Sequence, residues 1–305
     1  METVGKAVMV SKTVVVLGTA TPGGGFPAYG APYAETINEM DTTLSVAPRN
    51  TKGSTENVPL LEQEKLDIAL ATGEVTYEAI TGIGRAKATN LRIINATYSQ
   101  AGMFMVRADS PYRSISDLKG RPVVWGAGSS GFIVLARYVM DGLGLDMKKD
   151  FEAILLAKAG DGPPMVFDGR AAAMWGGGVG WPPFMAIAKG PAGGRFVSPS
   201  ADEIKRIMAK HPFLKATTMP TGSYPGQAGP VNSVGSWPFV LARASLPDEV
   251  AYRLARALHK GQPALATRIA QARESTLQNT LAAAPRQDLI HPGVLRYMRE
   301  IGLLR

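Results

Sequence analysis

Two stretches of this chain read as the same strand. The first is Gly102-Met-Phe-Met-Val-Arg-Ala-Asp-Ser110 and the second is Ser236-Trp-Pro-Phe-Val-Leu-Ala-Arg-Ala-Ser245. Each is a short apolar run that ends in Arg and a small polar residue, as a buried strand leaving a sheet does. Each leads into a helix start, Ser116-Asp117-Leu118 after the first and Leu246-Pro247-Asp248-Glu249 after the second. Like strands so far apart predict a chain that leaves one lobe, builds another and returns. The crossings are expected near 100–103 and 232–236. Lobe 1 then holds residues 1–101 and 236–305, and lobe 2 holds 102–235. Two lobes joined by two crossing strands enclose a cleft, a preferred place for small ligands.

The rest of the chain alternates strand and helix. Thr13 to Leu17 reads as a buried strand that runs into Gly18-Thr-Ala-Thr-Pro-Gly-Gly-Gly25 and a helix from about Ala28 to Met40. Strands at Leu44 to Pro48, Leu66 to Ala71 and Leu91 to Tyr98 follow, with Ser54 or Thr55 as the N-cap of a helix and a further helix through Tyr77. In the second half, strands are expected at Arg121 to Trp125, Phe151 to Ala157 and Ala171 to Trp175, and a helix at Phe132 to Leu143. Met219 to Gly235 is rich in Gly and Pro and reads as a long loop. A helix is expected from Asp248 to Ala270 and a closing one from His291 to Leu304. This alternation predicts an α/β protein with mostly parallel sheets covered on both faces.

Composition narrows the function classes. The chain has 305 residues, enough for about two domains. It has no cysteine, which excludes disulfides, thiol catalysis and Cys-ligated metals. No apolar run reaches about 18 residues, so no membrane-spanning helix is expected. Met1 to Lys12 lacks a charged region followed by an apolar run and a cleavage site, so an exported protein of this kind is expected to have had its signal removed. The net charge of +8 favours an anionic partner. Lys and Arg are dispersed and not interleaved with aromatics, which argues against nucleic acid.

Glycine-rich turns between strand and helix recur, and such turns aim N–H groups and a helix N-terminus at one point, which suits an anion. Thr21, Gly24 and Gly25 stand in the first, and Ser129, Ser130 and Gly131 in another. The same residues also serve as plain turns and caps. Gly126, Gly128 and Gly131 match the dinucleotide fingerprint, but the strand at 151–157 ends in Lys158 where an acidic residue is required. His211, His259 and His291 show no metal-ligand spacing, and no nucleophile elbow is present. Phe26, Tyr29, Trp181 and Tyr224 lie in segments expected to face a cleft, although Trp181 equally suits core packing. No catalytic residue, metal or cofactor is expected.

With these residues the sequence resembles the TAXI-type solute receptors of bacterial TRAP transporters, which have the type II periplasmic binding protein fold. The carriers are the first Gly-rich loop, Thr51-Lys-Gly-Ser-Thr-Glu-Asn57, Asp67-Ile-Ala-Leu-Ala71 with Glu74 and Tyr77, Ser116-Asp-Leu-Lys-Gly120, Ser130-Gly131, Ser223-Tyr-Pro-Gly-Gln227 and His291-Pro-Gly293. The resemblance implies a periplasmic, non-enzymatic receptor that closes on its ligand and is read by TRAP membrane subunits without itself entering the membrane. It implies that the first loop, the turn at Lys52, Gly53 and Ser54, the segment near Glu74, the turn at Ser130 and the Tyr224 to Gln227 loop face the ligand. Family ligands are small carboxylates and amino acids such as glutamate. Here Phe26-Pro27 stands for a Tyr pair, Thr72-Gly73-Glu74 for a Gln-Ser-Asp-like segment and Gly131-Phe132 for Gly-Thr. These changes remove hydroxyls and add apolar surface, so a small organic anion with an apolar or aromatic body is expected. Ser54 and Ser130 are expected to hold its carboxylate and Tyr224 to cover it. The alternatives are an enzyme on the same fold, including a nucleotide-dependent one using Gly126 to Gly131, and an effector-sensing domain of a regulator.

Overall fold

Short aliphatic and β-branched runs form strands here because both faces of the sheets are covered, so central strands such as Ile68–Ala71 and Ala173–Gly177 are buried along their whole length. The computed structural model describes residues 11–305; the reading of Met1 to Lys12 therefore falls, for residues 1–10, outside the described residues. The first lobe begins with β1 (Thr13–Gly18), α1 (Gly25–Met40), β2 (Leu44–Arg49), α2 (Ser54–Glu62), β3 (Ile68–Ala71), α3 (Gly73–Thr81) and β4 (Leu91–Ala96). The second holds β5 (Gln100–Arg107), β6 (Pro122–Ala127), α4 (Gly131–Gly142), β7 (Glu152–Leu156), α5 (Gly162–Phe167), β8 (Ala173–Gly177), α6 (Pro182–Lys189), β9 (Gly194–Val197), α7 (Ala201–Lys210), β10 (Lys215–Met219) and β11 (Val231–Ser236). The chain then returns for β12 (Phe239–Arg243), α8 (Asp248–Arg268), α9 (Leu277–Ala283) and α10 (Pro292–Glu300).

The two sheets share one plan. The first has strand order β2-β1-β3-β12-β4 and the second β10-β11-β5-β8-β6-β7, with β9 also on β5. In the first, β1 is flanked by parallel β2 and β3, and β12 lies antiparallel beside β3. In the second, β6 is flanked by parallel β7 and β8, and β5 lies antiparallel beside β8. The two strands that read alike, β5 and β12, thus hold the same place in each lobe. Each is the strand the chain enters after a crossing. The crossing segments themselves are Thr97 to Ser99 and Trp237 to Pro238, and they are tied together: Thr97 N–H donates to the Pro238 carbonyl at 2.9 Å and the Thr97 hydroxyl to the same oxygen at 3.1 Å.

Each lobe has its own core. In the first, Tyr29 and Tyr33 are fully buried with their polar tips satisfied, by Ser275 Oγ and Asn95 Oδ1, each at 3.0 Å. In the second, Phe104 meets Trp125 and Trp175 edge-on at 5.4 and 4.9 Å. Truncating such a ring to Ala costs about 3–5 kcal/mol.

Several readings need correction. The sheets are mixed and not mostly parallel, because β5 and β12 run antiparallel to every strand they pair with. The crossings lie at 97–99 and 237–238, outside the expected 100–103 and 232–236, because Gln100 and Ser236 are already paired in the second sheet. Met219 to Gly235 is a loop only to about Pro230, because Val231–Ser236 pairs with both β10 and β5. Its Gly235 is required by packing, since a Cβ there would overlap the Gln100 carbonyl. Helix α1 starts at Gly25 rather than Ala28: Pro27 fits the first turn, where its missing N–H has no partner to lose. The closing helix ends at Glu300, before Gly302, which takes a left-handed φ of 73°. The edge strands β9 and β10 and the helices α5, α6, α7 and α9 have no counterpart in the sequence reading.

Candidate ligand-binding site

The carboxyl ends of all six parallel strands converge on one narrow space between the lobes, about 450 Å³ including its opening to solvent. That is where open α/β sheets place ligands, because the loops leaving the strands and the helix starts that follow them meet there. Ala20, Thr21, Gly24, Gly25 and Phe26 arrive after β1; Lys52, Gly53 and Ser54 after β2; Thr72 after β3. Across from them, Ala127, Ser130, Gly131 and Phe132 follow β6, Ala159 follows β7 and Trp181 follows β8. Tyr98, on the crossing, and Gln100, just after it at the start of β5, complete the wall.

The lobes touch around this space, and glycine makes the approach possible. Gly53 has a φ of +124°, which L side chains rarely adopt, and a Cβ there would lie 2.8 Å from the Ser129 carbonyl oxygen. A Cβ on Gly131 would overlap the Thr72 hydroxyl. Hydrogen bonds span the seam. Ala159 N–H donates to Thr21 Oγ1 at 3.2 Å, and Thr55 donates to the Ser129 carbonyl through its N–H at 3.3 Å and its hydroxyl at 3.0 Å.

The polar character of the wall favours negative charge. Helix α1 has Gly24 and α2 has Gly53 as N-cap, and neither has a side-chain cap. Among the described residues no protein acceptor takes the N–H groups of Gly25, Phe26, Ser54 or Gly131. Helix α4 differs: Ser130 Oγ accepts from Phe132 N–H at 3.2 Å. Unpaired N–H groups at helix starts carry partial positive charge and bind anions. The Lys52 side chain is exposed at the rim, and no carboxylate lines the space. Ser54 Oγ accepts from Thr72 N–H at 3.1 Å and keeps its own proton to donate. The Thr72 hydroxyl and the side-chain amide oxygen of Gln100 are buried with no protein partner. Phe26, Tyr98, Phe132 and Trp181 give the rest of the wall, with the Phe132 and Trp181 rings 5.2 Å apart.

The structure brings most of the expected site residues together. Thr21, Gly24, Gly25, Phe26, Lys52, Gly53, Ser54, Ser130, Gly131, Phe132 and Trp181 all line the space. Trp181 is also packed against Phe184, so it is wall and core at once. Five residues stand elsewhere. Ser129 contributes its carbonyl to the seam with Thr55. Tyr29 points into the first core. Glu74 lies out of the wall, with Oε1 accepting from Ser236 Oγ at 2.6 Å; burial pushes its carboxyl pKa up. The Tyr224 hydroxyl is used internally, donating to the Gly178 carbonyl at 2.6 Å and accepting from Trp181 N–H at 2.7 Å. Its ring packs between Phe184 and Phe196, so it braces Trp181 from behind and does not cover the space. Gln227 Nε2 donates to the carbonyls of Pro220 and Gly229, both at 2.9 Å, and shapes its own loop. The His-Pro-Gly element is likewise structural. His291 caps α10 by accepting from Gly293 N–H at 3.2 Å, and burial pushes its pKa down, which keeps that nitrogen free to accept.

Sequence reasoning missed Ala20, Thr72, Tyr98, Gln100, Ala127 and Ala159. Thr72, Ala127 and Ala159 were within reach, because each ends or follows a parallel strand. Tyr98 and Gln100 carry no such mark.

Residues 17–302 match the model of the NMT1-like family, and the chain belongs to that family. The fold is that of two-lobed solute-binding proteins. A TctC solute-binding protein from Polaromonas is 14% identical, covering 98% of this chain and 100% of its own, with a TM-score of 0.54. The alkanesulfonate-binding protein SsuA from Xanthomonas axonopodis pv. citri, solved bound to MOPS, is 14% identical over 90% of this chain and 85% of its own, with a TM-score of 0.50. The substrate-binding protein of an amino acid ABC transporter is 12% identical over 84% and 97%, with a TM-score of 0.51.

Proposed function

We propose that this protein is a periplasmic solute receptor that holds a small organic anion, with an apolar or aromatic body, between its two lobes. In this reading it is a TAXI-type receptor that delivers the anion to TRAP membrane subunits. The observation that carries the proposal is the wall itself: unpaired helix-start N–H groups and aromatic rings brought together from both lobes, and no carboxylate. The anion settles on the N–H groups of Gly25, Ser54 and Gly131, and the body lies against Phe26, Phe132 and Trp181. Since those groups come from both lobes, the ligand binds the closed form better than the open one and so favours closure. Closure bends the crossings at 97–99 and 237–238, as hinges at element ends do. The alkanesulfonate-binding protein, a fold relative solved with the sulfonate MOPS, holds a ligand of the same class of charge.

A thermal-shift panel of amino acids, dicarboxylates and branched or aromatic monocarboxylates tests this. A ligand at 100 times its dissociation constant stabilises by about 2.7 kcal/mol, which is readily seen. Stabilisation by aromatic or branched acids is the expected result. Stabilisation by glutamate alone removes the apolar body from the proposal, and stabilisation only by cations or neutral sugars removes the anion.

A further inference from the structure

Gln100 is the first residue of β5, where the chain enters the second lobe. Its backbone is held against β11, paired in register with Ser236, and its carbonyl is so close to Gly235 that only glycine fits there. Only 4% of the residue is exposed, and its side chain forms part of the wall of the inter-lobe space. Its amide oxygen is buried without a partner among the described residues. A buried amide left unpaired is costly, and a site built to pair it discriminates strongly against ligands that cannot. Gln100 also stands at a strand start and not at a helix start. It is therefore a separate polar point from the N–H groups assigned to the anion.

We infer that Gln100 is a specificity-determining residue that accepts a hydrogen bond from a hydroxyl or amide N–H carried by the ligand away from its anionic group. The inference rests on the small-anion reading above and narrows it to short acids with a second, uncharged donor. A second carboxylate is disfavoured at this point, because it has no hydrogen to donate to the buried amide oxygen. The aromatic wall still contacts the carbon chain between the two ends.

Titration calorimetry with butanoate, 4-hydroxybutanoate and succinamate tests this on the full chain. The wild type is expected to bind 4-hydroxybutanoate or succinamate at least about tenfold more tightly than butanoate. In Gln100→Met, which keeps the length and loses the amide, that preference falls to about twofold or less. Equal affinities in the wild type, or a preference that survives in Gln100→Met, overturn the role of Gln100 and leave the anion site standing. No binding of any of the three, with cations or sugars binding instead, overturns the anion reading and this inference with it. If Gln100→Met does not fold, Gln100→Glu takes its place. There 4-aminobutanoate is expected to gain about tenfold over butanoate relative to the wild type, and no gain overturns the assignment.

Discussion

The two lobes follow one strand plan yet give the cavity unlike faces. In the first lobe, the turns after β1 and β2 lead into helices without side-chain caps, and Ser54 and Thr72 add hydroxyls. In the second, α4 is capped by its own Ser130, and the positions that follow strand ends hold Phe132 and Trp181. Directional hydrogen bonds thus come mainly from lobe 1, and apolar cover mainly from lobe 2. A shared topology sets where the loops meet. The residues at the first turn of each helix decide whether a loop binds or covers.

The largest expected effect is at the contact between the faces. Gly131→Val places a side chain where Thr72 and Ser54 stand, but only when the lobes are together. Affinity for the best anion of the panel is expected to fall by more than about 100-fold, or about 2.7 kcal/mol. The melting temperature of the free protein is expected to move far less. Retained affinity breaks the claim that both faces close on the ligand.

Thr72→Val sharpens the contrast next. Its hydroxyl has no protein partner, so the free protein loses little stability, while a hydrogen bond to a charged ligand is worth about 1.5–3 kcal/mol. Calorimetry and urea unfolding of the same variant read the two quantities. Loss of stability with unchanged affinity places the hydroxyl in the fold and not in the site.

Ser130→Ala is the mirror case in lobe 2. Removing this cap is expected to cost about 1 kcal/mol of stability and less affinity than Thr72→Val. The reverse order of affinities makes lobe 2 the anchoring side.

The smallest effect is on pH dependence. Burial raises the folded pKa of Glu74 above its ordinary 4.5. The native state therefore holds a proton that the unfolded chain releases. The stability this gives is complete below about pH 4.5 and is lost as pH rises through the raised value. Glu74→Gln is expected to flatten that decline above pH 4.5 in urea unfolding measured at several pH values. An unchanged slope means the carboxyl is already solvated.

Much of this was legible in the chain itself. The strands β5 and β12 stand out because they are buried on both faces and so are continuously apolar. The helix start at Ser130 follows from capping chemistry, whereas the N-cap expected at Ser54 or Thr55 is Gly53, without a side-chain cap, and Ser54 is already in the helix. What was hidden has a physical cause. Strand β11 carries Gly235 because a neighbouring backbone presses on it, so the strand has the composition of a loop. Tyr224 sits in a Gly- and Pro-rich loop, and the loop folds its ring inward, where its hydroxyl still finds two partners. Gln100 shows no motif because its importance lies in partners it lacks, and a sequence does not display those.

The central claim is that an anion is held on helix-start N–H groups contributed by both lobes. A crystal structure grown with the most stabilising acid of the panel tests it most directly. The account predicts the acid's charged group within hydrogen-bond distance of the N–H groups of Gly25, Ser54 and Gly131, with its carbon body against Phe132 and Trp181. An acid bound outside this space, or bound with its charged group on the rings and its body at the helix starts, contradicts it.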